Sequence, residues 1–204
     1  MRYSVSMETP VLEGDGVRLE PLTLDHLPAL EEVASDPTIW KYMLYTIRTP
    51  PDLRCWAEAA LHAKEQGRAM PWVTIKKASG GEPDRAVGAT RFIDLDLTHR
   101  TVEIGNTWLA SQWRGTRVNT EAKLLQLTYA FDTLDMMRVS FKTHASNQKS
   151  QAAIKAIGAI YEGTFRNHYI MPDGSSRNSP WFSIIRKEWP EVKDMLTRRL
   201  KAPV

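Results

Sequence analysis

The sequence predicts an α+β domain built on a mixed sheet, and the order of its segments carries that expectation. One strand-like stretch is followed by two helical ones, then by three alternating stretches in succession. Helix, strand and helix come next, before a closing hairpin and a last helix. The chain has 204 residues and is 42% hydrophobic, enough for one sizeable core, and no linker, repeat or low-complexity tract divides it. A single domain over 1–204 is expected, with 1–16 as an N-terminal arm and 188–204 as a C-terminal helix.

Taken in order, Val17 to Leu22 alternates apolar with charged residues, as a half-buried strand does, and Pro21 ends it. Thr23 or Asp25 can cap a helix with Leu27, Leu30 and Val33 on one face, which Asp36-Pro37 stops. The segment 39–45 is rich in large amphipathic side chains without a clean period. It reads equally as the lining of an acceptor pocket, through Trp40 and Tyr42, or as a loop covering the core. Thr49-Pro50-Pro51 opens a second helix, with proline where its missing N–H costs least, and Gly67 closes it. Strands at 72–77, 86–93 and 102–109 form an antiparallel meander. A helix from Asn119 to Phe131 has a wide apolar face that packs on the sheet, and the strand 136–143 follows it. Such a strand–helix–strand crossover sets this strand parallel to the one ending at Leu109. A short helix after Asn147, a hairpin around Pro172–Ser176 and an amphipathic helix from Glu188 complete the chain.

Composition excludes several classes of function. No run approaches the roughly 18 apolar residues of a membrane span, and no signal-like stretch opens the chain, so a cytoplasmic protein without membrane contact is expected. Net charge is only +3, and the C-terminal basic residues are interleaved with Glu188, Glu191 and Asp194, so no nucleic-acid partner is expected. A lone Cys55 cannot form an internal disulfide, and its helical setting suggests burial. His144 and His168 have no metal-ligand spacing, and no metal is expected.

The most informative stretch is Val102 to Thr120, where a strand breaks at a polar turn and passes through Arg114-Gly115-Thr116-Arg117 into a helix. A helix start presents unpaired N–H groups and the positive end of a dipole, a setting suited to phosphate. Arg114-Gly115-Thr116-Arg117-Val118-Asn119 resembles the Arg/Gln-x-x-Gly-x-Gly/Ala loop of the GNAT superfamily of N-acetyltransferases. The following Thr120-Glu121-Ala122 is similar to the RimJ/RimL branch, which acetylates ribosomal-protein N-termini. The resemblance runs from about Val17 to Ile185. It implies the GNAT fold: a mixed, mostly antiparallel sheet of about seven strands, flanking helices and one splayed strand pair.

The resemblance also implies acetyl-CoA as co-substrate and an amine acceptor, a protein N-terminus or a small molecule; a homodimer stays open. It implies cofactor contacts from Arg114, Gly115, Thr116, Arg117, Val118, Asn119 and Thr120, with the backbone of Trp108 and Leu109 beside the pantetheine arm. Asn147 would hold the pantetheine amide, Ser150 would donate to the departing thiolate, and Glu103 would act as base through a water. The residues alone admit plainer roles. Trp108 suits a core, Glu103 suits a solvated strand face, and Asn147 suits a helix cap. Arg117 stands where the family has glycine, so its guanidinium either pairs with phosphate or blocks the loop. Asp173-Gly174-x-x-Arg177-Asn178 resembles a family hairpin, with Asn178 in place of its final aspartate, and a turn-forming role is expected. Two rival functions remain within reach of the sequence: a detoxifying acetyltransferase acting on small amines, and an acyl-CoA-binding regulator with little turnover.

Overall fold

The computed structural model describes residues 8–202. Its strands are β1 (Leu12–Glu13), β2 (Val17–Pro21), β3 (Ala69–Lys76), β4 (Arg85–Asp96), β5 (Thr101–Leu109), β6 (Arg138–Lys142), β7 (Ile160–Ile170) and β8 (Ser176–Ile185). The helices are α1 (Leu27–Ala34), α2 (Pro50–Glu65), α3 (Arg117–Thr128), α4 (Gln148–Ala156) and α5 (Trp189–Lys201). The strands form one sheet in the order β1-β2-β3-β4-β5-β6-β8-β7. The eighth strand is β1, which the sequence hides within its N-terminal arm: two residues are too few to show a period, and pairing with β2 defines them.

Alternation along the strands sends side chains to two apolar layers. One holds Trp72, Phe92, Val102 and Ile104 against Val118, Leu127 and Phe131 of the α3 segment and Leu196 of α5. The other holds Val73, Ile75, Ala89 and Trp108 against Leu27 and Leu30 of α1 and Leu53, Trp56 and Ala60 of α2. Glu103 sits between Val102 and Ile104 and therefore faces the α1/α2 side. Cys55 corrects its expectation. The inward stripe of α2 is Leu53, Trp56, Ala57 and Ala60, and Cys55 falls off that stripe into solvent. The ambiguous segment at 39–45 is a 3-10 turn over Pro37–Tyr42, capped by the Asp36 carboxylate on the Thr38 N–H at 2.9 Å.

One junction positions everything that follows. β5 and β6 are parallel, as the crossover requires, and the only paired positions are Thr101–Glu103 with Arg138–Ser140. Beyond Glu103 and Ser140 the strands part, while β5 runs on to Leu109 and β6 to Lys142. β5 bends there, with a register shift against β4 between Ala89 and Arg91 and a left-handed Asn106 at φ 49°. Gly88 permits that path, because a Cβ at this position would lie 2.0 Å from the Trp108 carbonyl oxygen.

Candidate active site at the fork of the sheet

Because the forked strands are parallel, both carboxyl ends point the same way, and each leads into a helix. β5 delivers the N-terminus of α3, and β6 delivers that of α4. Two helix N-termini therefore stand at the open end of the fork, the place where ligands bind in open α/β sheets.

The loop into α3 is held by its own side chains. Arg114 donates from Nε to the Leu109 carbonyl at 2.9 Å and from Nη1 to Thr38 Oγ1 at 3.1 Å, tying the loop to the 3-10 turn. Gly115 takes a left-handed φ of +76°, with open space where a Cβ would stand. Thr116 caps the helix: Oγ1 accepts from the Val118 N–H at 3.3 Å and donates to the Trp113 carbonyl at 2.8 Å. Val118 and Thr120 turn inward and are buried, which leaves the backbone amides of this first turn as the groups the loop can present. Arg117 takes neither course the sequence suggested, since its guanidinium donates to the Ala202 carbonyl at the end of α5.

At α4, Asn147 is the cap, and its Oδ1 accepts from the Ser150 N–H at 3.1 Å. Its side-chain NH2 is left to face outward, while the half-buried Ser150 lies in the first turn. Trp108 and Leu109 are both buried, the indole of Trp108 lying against Trp40 and Trp56 with centroids 5.3 and 5.5 Å away. Trp40 is itself a core residue, 3% exposed, with its indole N–H spent on the Ala34 carbonyl. Tyr42 is half-buried and lies 5.3 Å from the imidazole of His144, in the connection that leaves β6.

At the crotch of the fork lies Glu103. It is 3% exposed, so solubility does not explain it, and it forms an ion pair with Lys142 of β6. Gly105 makes room for it, since a Cβ there would sit 2.9 Å from Glu103 Oε1. Burial pushes the Glu103 carboxyl above the ordinary carboxylate range, and the Lys142 charge opposes that rise. Aromatic rings wall the pair: Lys142 Nζ lies 4.9 Å from the Trp181 ring and 5.8 Å from Tyr169. Arg177 of β8, 6% exposed, covers the other part of Tyr169 at 5.6 Å and donates from Nε to Ser179 Oγ at 3.0 Å.

Sequence reasoning missed Lys142, Arg177 and a third cation, Lys123. The alternation Val139-Ser140-Phe141-Lys142 would have placed Lys142 on the face of Ser140, yet nothing local reveals that it meets Glu103. Lys123 of α3 is buried without a carboxylate and donates to Thr90 Oγ1, Thr107 Oγ1 and Gln126 Oε1 at 3.0, 3.0 and 2.8 Å. All three ammonium protons are thus matched, and desolvation brings its pKa down to about 7. Among the described residues no cluster of His, Cys, Asp and Glu could hold a metal, and no helix is long and apolar enough to cross a membrane.

A parallel fork with a buried glutamate at its crotch and a helix-start loop at its mouth defines a class, and comparison with known proteins agrees. The acetyltransferase (GNAT) domain family matches residues 17–160, and the chain belongs to that family, whose members use acetyl-CoA. Among its relatives is a Bacillus subtilis protein named "Putative ribosomal N-acetyltransferase YdaF", 32% identical over 106 residues. That match covers 52% of this chain and spans only 57% of YdaF. A GCN5-related N-acetyltransferase from Brucella melitensis superposes with a TM-score of 0.87 at 28% identity, over 97% of this chain and 88% of the other. An acetyltransferase structure from T. thermophilus gives 0.82 at 34% identity, over 93% and 96%. The family and its fold agree with the expectation drawn from the sequence, down to the splayed strands.

Proposed function

We propose that the chain moves the acetyl group of acetyl-CoA directly to a primary amine, and that the acceptor is the α-amine of a protein or peptide N-terminus. The observation that carries this reading is the fork itself, with a buried carboxylate where the strands part and two helix starts at its mouth. The printed name of the YdaF relative favours a chain end as acceptor.

In this reading the amides between Arg114 and Thr120 grip the diphosphate, and Gly115 lets the backbone approach it. The residues fit such a group: the loop is left-handed and open at Gly115, and the guanidinium of Arg117 is drawn off to α5. Past Glu103 the edge of β5 that faces β6 lacks its partner strand, so the backbone near Trp108 and Leu109 can meet the pantetheine arm. The outward NH2 of Asn147 holds the arm's amide.

When bound, acetyl-CoA supplies an activated acyl carbon attached to a thiol leaving group. The amine must reach that carbon neutral, and Glu103 takes its proton through a water. Lys142 keeps Glu103 charged against its burial, so that the carboxylate can accept. As the nitrogen bonds to the acyl carbon and the C–S bond breaks, the Ser150 hydroxyl donates a hydrogen bond to the thiolate.

The test is to incubate the protein with acetyl-CoA and a set of peptides and small amines while following free thiol, then to repeat it with Glu103→Gln and Ser150→Ala. Thiol release with peptides, reduced in both variants, supports the reading. Unchanged rates in both variants overturn the site, and release with small amines alone overturns the acceptor.

A further inference from the structure

Glu103 is the one acidic side chain among the buried described residues, and three largely buried cations share its side of the molecule's polar interior. Among the described arginines only Arg91 and Arg177 are buried, at 8% and 6% exposure, and neither forms an ion pair. Arg91 lies over the Trp56 ring at 5.1 Å, one strand from Gly105 and hence close to the floor under Glu103. Arg177 and Lys142 share the Tyr169 ring, and Lys142 is taken by Glu103. The Glu103 charge reaches Arg177 through space without contact, so two cations already draw on one carboxylate.

A guanidinium buried without a counter-ion is costly, and the only hydrogen bond Arg177 donates comes from Nε; the two terminal nitrogens have no partner. Around it the buried His168 Nδ1 and Trp181 Nε1 also have none. The other titratable neighbours do not supply the missing charge. Burial and Arg177 both hold the His144 imidazole below its ordinary range, His168 is lowered in the same way, and Asp173 and Asp94 are exposed. The arrangement is a planar, two-pronged donor, nine-tenths buried, beside the residue assigned as base, and its match is a carboxylate.

We propose that Arg177 determines acceptor choice by receiving a carboxylate that the acceptor carries close to its amine, as the side chain of Asp or Glu at the first or second position of a peptide. This rests on the acetyl-transfer reading above. The shared stacking on Tyr169 sets the span: Lys142 meets Glu103 on one part of the ring and Arg177 covers another, so amine and carboxylate lie within about one residue of each other.

The experiment compares peptides identical except for Asp against Asn, and Glu against Gln, at the first two positions. Each acid–amide pair competes in one tube with the native protein, with Arg177→Gln and with Arg177→Lys. The native protein is expected to favour the acid at least tenfold in kcat/KM, Arg177→Gln to bring the ratio near one, and Arg177→Lys to fall between. A ratio taken within one sample does not depend on the fraction folded, so a poorly folding variant still reports. Equal rates for acid and amide with the native protein overturn the proposal, as does a preference that survives in Arg177→Gln. If no peptide reacts, free amines with and without a carboxylate form the second arm: a preference for the carboxylate lost in Arg177→Gln keeps the inference and moves its source to a small acceptor. If nothing at all is acetylated, the transfer reading fails. Calorimetry with the N-acetylated acidic peptide then decides this one, through binding lost in Arg177→Gln or no binding at all.

Discussion

At the scale of single residues the molecule depends on charges placed where water is scarce. Glu103 is pulled two ways, upward by burial and downward by Lys142, and activity should follow both. Its carboxylate accepts a proton only when ionised, so kcat/KM falls as pH drops through its raised pKa. Lys142→Met removes the opposing charge and should move that acidic limb to higher pH, while Glu103→Gln should lower kcat/KM by roughly 100-fold or more and abolish the limb. A pH–rate profile that is the same in all three proteins would show that the limb belongs to another group. Lys123 gives a separate test, in stability. Its folded pKa of about 7 lies below that of an unfolded lysine, so between about pH 7 and 10 the unfolded chain binds more protons, and stability rises with pH. Relative to Lys123→Met, urea unfolding should show a gain approaching about 1.4 kcal/mol per pH unit in that window. A difference that stays flat with pH would mean the ammonium remains charged in its nest of two hydroxyls and an amide.

At the scale of elements the fork is made by backbone geometry, and two glycines show two kinds of constraint. At Gly88 an added Cβ meets the Trp108 carbonyl at 2.0 Å, and neither strand can yield without breaking the β4–β5 pairing. At Gly115 the space is open and only the left-handed φ resists. Gly88→Ala is therefore expected to cost more than about 3 kcal/mol of stability, and Gly115→Ala about 1 kcal/mol. Urea denaturation of both variants checks the order; equal costs would mean that β5 can shift away from β4. These elements differ in how far the sequence reveals them. Caps and periods are local, so the Thr49 cap, the Pro50 start of α2 and the 170–176 turn could be read directly. The α3 helix starts two residues earlier than its apolar pattern suggests, because Thr116 caps it while Arg117 faces outward. β1 and the 3-10 turn at 37–42 were not legible, for both exist through contacts with distant segments.

For the whole molecule, the order of elements was enough to predict a mixed sheet and its parallel pair, since a crossover leaves few alternatives. The loop at 114–120 was legible as well, because a phosphate-suited helix start has a local signature. The partners across the fork were not. Lys142 and Arg177 lie 39 and 74 positions beyond Glu103 in sequence, and only the pairing of β6 with β5 and β8 brings all three together. Cys55 and Trp40 mark the same limit at the surface and in the core, where a composition-rich segment does not say which side faces in. Everything said of mechanism depends on the space between β5 and β6 being the place where coenzyme A lies. The measurement that bears on it most directly is a crystal structure of the protein grown with coenzyme A. The account predicts the diphosphate on the amides of residues 114–120 and the pantetheine arm between the parted strands, with its thiol directed toward Ser150 and Glu103. Coenzyme A bound elsewhere, or strands closed onto each other beyond Ser140, would contradict it.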